Sequence, residues 1–413
     1  MVMAERVAAS LAMGGIVLLV ACGAADPEEI FRARIAEMAD ELIDVRRDLH
    51  RHPELSGSEI RTAGIVADRL RALDLEVRTG VGGHGVVAIL RGSRPGPVVA
   101  VRADMDAVPS DAPDPVPFPS ETPGVRHICG HDVHTTVALA LAEGLAAART
   151  RLAGTVVFLF QPAEENATGA RAMLEDGALV DPVPEAIFTV HAAPLPVGQL
   201  ATAERVLMPG RDAIVVKAAD GRNAVRVLQE ARRVIEQVGT VPPEEAFAPV
   251  AGRFVLAQIG SPVLNGDARW SVQGMLTMSD DATRAEVKDH LLGALEALGS
   301  DSRPVEVTYH ERVIAGVTNE PGLVRRAVAS VRRVLGDESV VMLESMTPAF
   351  SEDFGSLQAR VPGVMFFLGV ASTADGFDGM PHSPAFAPDE GAIEVGARAL
   401  GAVVIDVLAG RQF

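Results

Sequence analysis

The chain has 413 residues, which suits two domains or one domain carrying an insertion. Acidic side chains number 55 against 37 basic ones, and the formal net charge of −18 argues against a nucleic-acid binder, as does an aromatic content of 4 %. Two cysteines cannot build a disulfide-rich scaffold, so each needs its own explanation.

The first cysteine closes an N-terminal apolar stretch over residues 7–20. That stretch is shorter than the roughly 18 residues of a membrane span and suits the h-region of an export signal. It ends in Leu19-Val20-Ala21-Cys22-Gly23, which resembles the lipobox of bacterial lipoproteins. The reading implies a signal peptide over 1–21, lipidation of Cys22, and a soluble body anchored at a membrane surface in the periplasm or on the cell surface.

Apolar residues then recur at helical spacing from 28 to about 49 and again from 59 to 73. Runs at 98–101, 155–160 and 186–190 read as buried strands, alternating with helices at 133–148 and 168–174. This alternation predicts an α/β fold with a mostly parallel sheet covered on both faces. The pattern changes near Met208-Pro209-Gly210. Strand 212–219, helix 223–238, strands 253–259 and 268–278, helix 281–298 and strand 305–313 form a β-α-β-β-α-β, or ferredoxin-like, insert. The first style resumes and ends in a helix over 389–408. The expected divisions are therefore 1–21, a catalytic domain in two parts over 22–208 and 316–413, and a satellite domain over 209–315.

The chemistry lies at strand ends and in loops. His127-Ile128-Cys129-Gly130-His131-Asp132-Val133-His134 places a thiol, three imidazoles and a carboxylate just before a helix. Cys129 and His131 can both face a borderline-soft cation such as zinc, and the helix N-terminus should favour thiolate. Glu164 and Glu165 follow the strand 155–160, where α/β sheets place active sites; one can bind metal while the other moves protons. His191 follows the strand 186–190, and His382 sits in Pro381-His382-Ser383-Pro384. Asp104 and Asp106 follow the run 98–101. They could ligate a metal or orient ligating histidines, and Asp106 joins Glu164 as a catalytic candidate.

Together with Asp48-Leu49-His50-Arg51-His52-Pro53-Glu54 and Ser351-Glu352-Asp353-Phe354, these motifs resemble metallopeptidase family M20. The closer likeness is to its amidohydrolase branch of hippurate, N-acyl-amino-acid and auxin-conjugate hydrolases. The resemblance implies two divalent ions per chain, zinc first, with manganese, cobalt or nickel as alternatives. It implies Cys129, His131, Glu165, His191 and His382 as ligands and Glu164 as the base that activates water. It also implies a small-molecule substrate, an N-acyl amino acid or short peptide, and a homodimer through the satellite domain.

The insert departs from the family. The place of its satellite histidine, which reaches a partner's active site, reads Val216-Lys217-Ala218-Ala219-Asp220-Gly221-Arg222, and Arg222 is the nearest candidate donor to the oxyanion. Two readings follow: a metal-dependent amidohydrolase, favoured by Glu164, or a weakly active metal-binding protein, favoured by the lost histidine.

Overall fold

A computed structural model of the protein describes residues 26–411 apart from 219–222, 268, 300–304, 373–375 and 377–378. The signal segment, Cys22 and Arg222 lie outside the described residues.

The larger sheet has eight strands. In spatial order they are Glu76–Val81, Gly85–Arg91, Ala153–Gln161, Arg94–Asp104, Ala186–Pro196, Gly363–Ala371, Leu200–Thr202 and Val340–Met342. The four central strands, from Ala153–Gln161 to Gly363–Ala371, run parallel. The hairpin of the first two joins antiparallel to one side, and Leu200–Thr202 pairs antiparallel with Gly363–Ala371. The mostly parallel sheet expected from the sequence is therefore present.

Side-chain alternation explains why both faces are covered. From Arg94–Asp104, Val99, Val101 and Ala103 enter one core with helices Pro27–Glu37, Ala39–Arg51, His131–Ala148 and Gly391–Leu408. Ala100 enters the other, with Ala170, Met173, Phe354 and Leu357 from the short helices Gly169–Glu175 and Phe354–Gln358.

The second sheet is antiparallel, in the order Val255–Ile259, Trp270–Met278, Gly210–Ala218 and Val305–Ile314. Helices Ala224–Glu236 and Asp281–Glu296 complete a β-α-β-β-α-β unit. Leu228, Ala231 and Ile235 of the first and Leu291 and Leu295 of the second close its core against Ile214, Val216, Val272 and Leu276.

Two local expectations are corrected. The first helical stretch is two helices, broken at Met38, whose N–H donates to the carbonyls of Arg34 and Ile35. The break lets Pro27–Glu37 and Ala39–Arg51 each pack on His131–Ala148. His191 also lies within a strand rather than after it, in register with Phe367.

Candidate metal centre

The site forms at the C-terminal ends of the central parallel strands, where a doubly covered sheet leaves its crevice. Helix His131–Ala148 begins there behind Gly130, which adopts φ 93°. A Cβ at Gly130 would come within 3.0 Å of Ala192 Cβ, so a tight left-handed turn sets Cys129 and His131 against the end of the Ala186–Pro196 strand.

The five expected ligand residues converge. Ligating atoms of Cys129, His131 and His191 lie within 4.8 Å of one another, and so do those of Cys129, Glu165 and His382. Cys129 Sγ is 3.5 Å from His191 Nε2, and His382 Nε2 is 3.2 Å from Glu165 Oε1. His191 Nδ1 donates to the Ala192 carbonyl at 2.9 Å, which leaves the Nε2 lone pair turned toward Cys129. His382 is held in the left-handed region at φ 63°, its N–H donating to the Ile128 carbonyl at 2.7 Å. Strained backbone of this kind costs about 1–3 kcal/mol and persists only where surrounding structure enforces it.

His134 does something else. Its Nδ1 meets Asp104 Oδ1 at 2.6 Å and its Nε2 accepts the Ala192 N–H at 2.7 Å. With both nitrogens engaged, it ties Asp104 at the end of one strand to Ala192 in the next. Asp106 is equally occupied. It accepts the N–H groups of Glu164 at 3.1 Å and Glu165 at 3.0 Å and the Ser56 hydroxyl at 2.6 Å. It thus fixes the backbone of the glutamate pair and, 3.3 Å from His131 Nδ1, also orients that imidazole, one of the roles the sequence suggests for it. Asp132 turns outward from the centre, bonded to His50 Nδ1 at 2.8 Å and ion-paired to Arg46 at 2.9 Å.

The donor set fits a cation. The buried atoms His131 Nε2 and Glu165 Oε1 have no hydrogen-bond partner among the described residues. Leaving such groups desolvated and unpaired is costly, and a divalent ion satisfies them together. Burial lowers the basicity of His131, but Asp104, Asp106 and Glu165 outweigh it and raise its pKa to about 10. Burial, followed by the charges of Glu165 and Glu164, pushes the Cys129 thiol well above its ordinary value, against the thiolate expected beside the helix N-terminus. Burial also raises Glu164 well above the usual carboxylate range, reinforced by Glu352, Asp353 and Glu165.

Beneath the site, Arg102 is buried with several partners that sequence reasoning did not assemble. It pairs with Asp104 at 2.6 Å, Glu352 at 2.8 Å and Asp353 at 3.3 Å, and donates to Gln161 at 2.9 Å. An arginine inside the apolar run Val98-Val99-Ala100-Val101-Arg102-Ala103 was the available signal, since a charge in a buried strand requires partners. Arg102→Met should cost about 3–5 kcal/mol, because it leaves buried carboxylates uncompensated. Urea unfolding monitored by far-UV circular dichroism would check this; a loss under 1 kcal/mol would contradict it.

A cavity of about 520 Å³ opens over the cluster, bounded by Cys129, Glu164, Glu165, His191 and His382 on one side and by Arg211 and Ile314 of the inserted unit on another. Among the described residues no helix is long and apolar enough to cross a membrane.

Residues 100–406 match the sequence profile of peptidase family M20/M25/M40. The chain is 32 % identical over 393 residues to thermostable carboxypeptidase 2 of Saccharolobus solfataricus, covering 91 % of this chain and 97 % of that protein. It is 32 % identical over 385 residues to an N-acetylcysteine deacetylase of Bacillus subtilis, covering 89 % and 97 %. Among solved structures it is similar to a dinuclear metal-binding peptidase of the M20 family from Bacillus subtilis. That likeness has a TM-score of 0.77 and 29 % identity, over 91 % of this chain and 99 % of that one.

Proposed function

The chain belongs to peptidase family M20/M25/M40 and is a metal-dependent hydrolase of amide bonds, and on that premise we propose that it acts on N-acyl amino acids or short peptides with two divalent ions, zinc foremost. One observation carries the proposal. Two ligand triads, Cys129–His131–His191 and Cys129–Glu165–His382, meet at Cys129, and Glu164 lines the same cavity beside them.

In this reading Cys129, His131, Glu165, His191 and His382 hold the ions. When bound, the ions supply Lewis acidity that activates a water and polarises the scissile carbonyl. Glu164 takes the proton of the attacking water and passes it to the departing amine. Among the described residues its carboxylate accepts no hydrogen bond, while its backbone is pinned by Asp106, so the proton acceptor is free but its position is fixed. Asp104, His134 and Arg102 hold the strand ends in register below it. Retention of this base favours turnover over a purely binding role, because holding metal does not need it.

The test is a screen of the purified protein, with zinc, manganese, cobalt or nickel, against N-acyl amino acids and dipeptides. Hydrolysis that depends on the metal is expected; tight metal binding without hydrolysis of any member would favour the binding protein.

The same proposal places the protein at a membrane surface through lipidated Cys22, supported by the apolar run 7–20 and Leu19-Val20-Ala21-Cys22. Cys22→Ala should move it from the membrane fraction to the soluble one or block its maturation, and a mature N-terminus other than a modified Cys22 would contradict this. A homodimer through the inserted unit belongs to the proposal too, with the exposed Val263 and Leu264 at its sheet edge as an apolar contact. A monomer by sedimentation would remove it.

A further inference from the structure

The run 113–119 alternates proline with Asp114, Val116 and Phe118. Its prolines are exposed, whereas Val116 and Phe118 are buried and the Asp114 side chain is 5 % exposed. Proline fixes φ and brings no N–H, so such a run stays extended without a strand partner. Pairing of Val108–Pro109 with Val125–Arg126 closes it at the base. The run is therefore a strap anchored by its inner face. Phe118 lies under the guanidinium groups of Arg46 and Arg47, 4.9 and 5.0 Å from its ring centre. Val116 and Phe118 also pack with Ala387, beyond His382 in the same loop.

Asp114 joins this strap to both sides of the metal centre. Its Oδ1 accepts from Arg126 at 3.1 Å, and its Oδ2 meets His50 Nε2 at 3.0 Å. The other arm of Arg126 donates to the Pro384 carbonyl at 3.3 Å, two residues past His382. In the opposite direction His50 Nδ1 meets Asp132 at 2.8 Å, and Asp132 accepts the Val133 N–H at 3.0 Å in the first turn of the helix that begins with His131. Each ring nitrogen of His50 faces a carboxylate oxygen, so both donate and the ring is charged. Burial opposes that charge, but Asp114 and Asp132 outweigh it and raise the pKa. A continuous link, Pro384–Arg126–Asp114–His50–Asp132, thus runs from the His382 loop to the start of the His131 helix.

His382 is the ligand that such a link serves. Its backbone stands at φ 63°, and its side chain is 50 % exposed, against 0 % for His131. A half-exposed ligand on a strained loop depends on whatever holds the loop. The Ile128 carbonyl holds His382 itself, and Arg126 and the strap hold the residues that follow.

We propose that Arg126 and Asp114 are positioning residues for the ion held by Cys129, Glu165 and His382, and that the proline-rich strap thereby sets the occupancy of that half of the centre. The proposal rests on the two-ion hydrolase reading and is separable from it. Losing a partner that orients a metal ligand typically costs roughly 10- to 100-fold in affinity for the ion.

The test titrates cobalt(II), in competition with a chromophoric chelator, into chelator-treated wild-type, Arg126→Gln, Arg126→Lys and Asp114→Asn proteins. Hydrolysis of an N-acyl amino acid is followed in parallel. Wild type should take up about two ions. In Arg126→Gln and Asp114→Asn one ion should bind about 10- to 100-fold more weakly while the other is unchanged, a milder form of the pattern expected for His382→Ala. Asp114→Asn alters no volume, so it reads the same link should Arg126→Gln fail to fold. Arg126→Lys keeps a cation beside Asp114 and should recover part of the loss. Gln and Asn variants that bind both ions as wild type does would overturn the proposal. So would variants that weaken both ions alike, the result of a merely structural role. A wild type that binds a single ion would overturn the two-ion reading and the proposal with it. Selective weakening of one ion, in a protein that hydrolyses no substrate, would support the role of the strap and count against the hydrolase reading.

Discussion

Glu164→Gln is expected to lower turnover by about 10²–10⁴ while leaving the bound ions in place. The carboxamide matches the carboxylate in shape and cannot accept the proton of an attacking water. Glu164 is also suited to that task by environment: burial and the nearby Glu352, Asp353 and Glu165 raise its proton affinity. Its backbone N–H is bound by Asp106, and the neighbouring Glu165 N–H by the same carboxylate, so the substitution does not disturb the support of the pair. Turnover with a saturating substrate, read beside metal content, checks this. A Gln variant as active as wild type would remove Glu164 from the chemistry, and one that loses its metal would make it a ligand.

Cys129→Ala is expected to empty both halves of the centre, whereas His191→Ala and His382→Ala should each weaken one. The reason is geometric. Cys129 belongs to both ligand triads, while His191 and His382 each belong to one. A thiolate must also be formed on binding, against burial and the adjacent glutamates, so affinity should fall with acidification. Metal-to-protein ratios after gel filtration should drop from about two toward zero for Cys129→Ala and to about one for each histidine variant. Equal losses in all three would show that the triads do not divide the ions as their overlap implies.

Much of this was legible in the sequence because it is carried by local patterns. Alternating apolar runs and helical periods located the central strands at 98–101, 155–160 and 186–190, and the β-α-β-β-α-β order identified the insert. The candidate ligands were legible because Cys129, His131 and His382 stand beside Gly130 or Pro381 and Glu165 follows a strand, while His191 lies within one. What the sequence concealed depends on distant segments. The Gly363–Ala371 strand is apolar throughout and shows no alternation, since it is buried in the middle of the sheet. Arg102 reads as an interruption until Gln161, Glu352 and Asp353 arrive from elsewhere in the chain. That Asp106, a candidate from its place after a strand, also holds the backbone of the glutamate pair shows only in the folded chain. Arg211, beside Pro209 and Gly210, reads as a turn residue; only the packing of the insert against the Ala349–Phe350 segment places it in the cavity wall.

The most direct measurement is the rate of N-acyl-amino-acid hydrolysis as zinc or manganese is returned, in stepped equivalents, to the chelator-treated protein. If Cys129, His131, Glu165, His191 and His382 hold a two-ion centre served by Glu164, the rate should start near zero and rise to a plateau at about two equivalents per chain. A rate that survives removal of the metal, or no hydrolysis at any metal load, would contradict it.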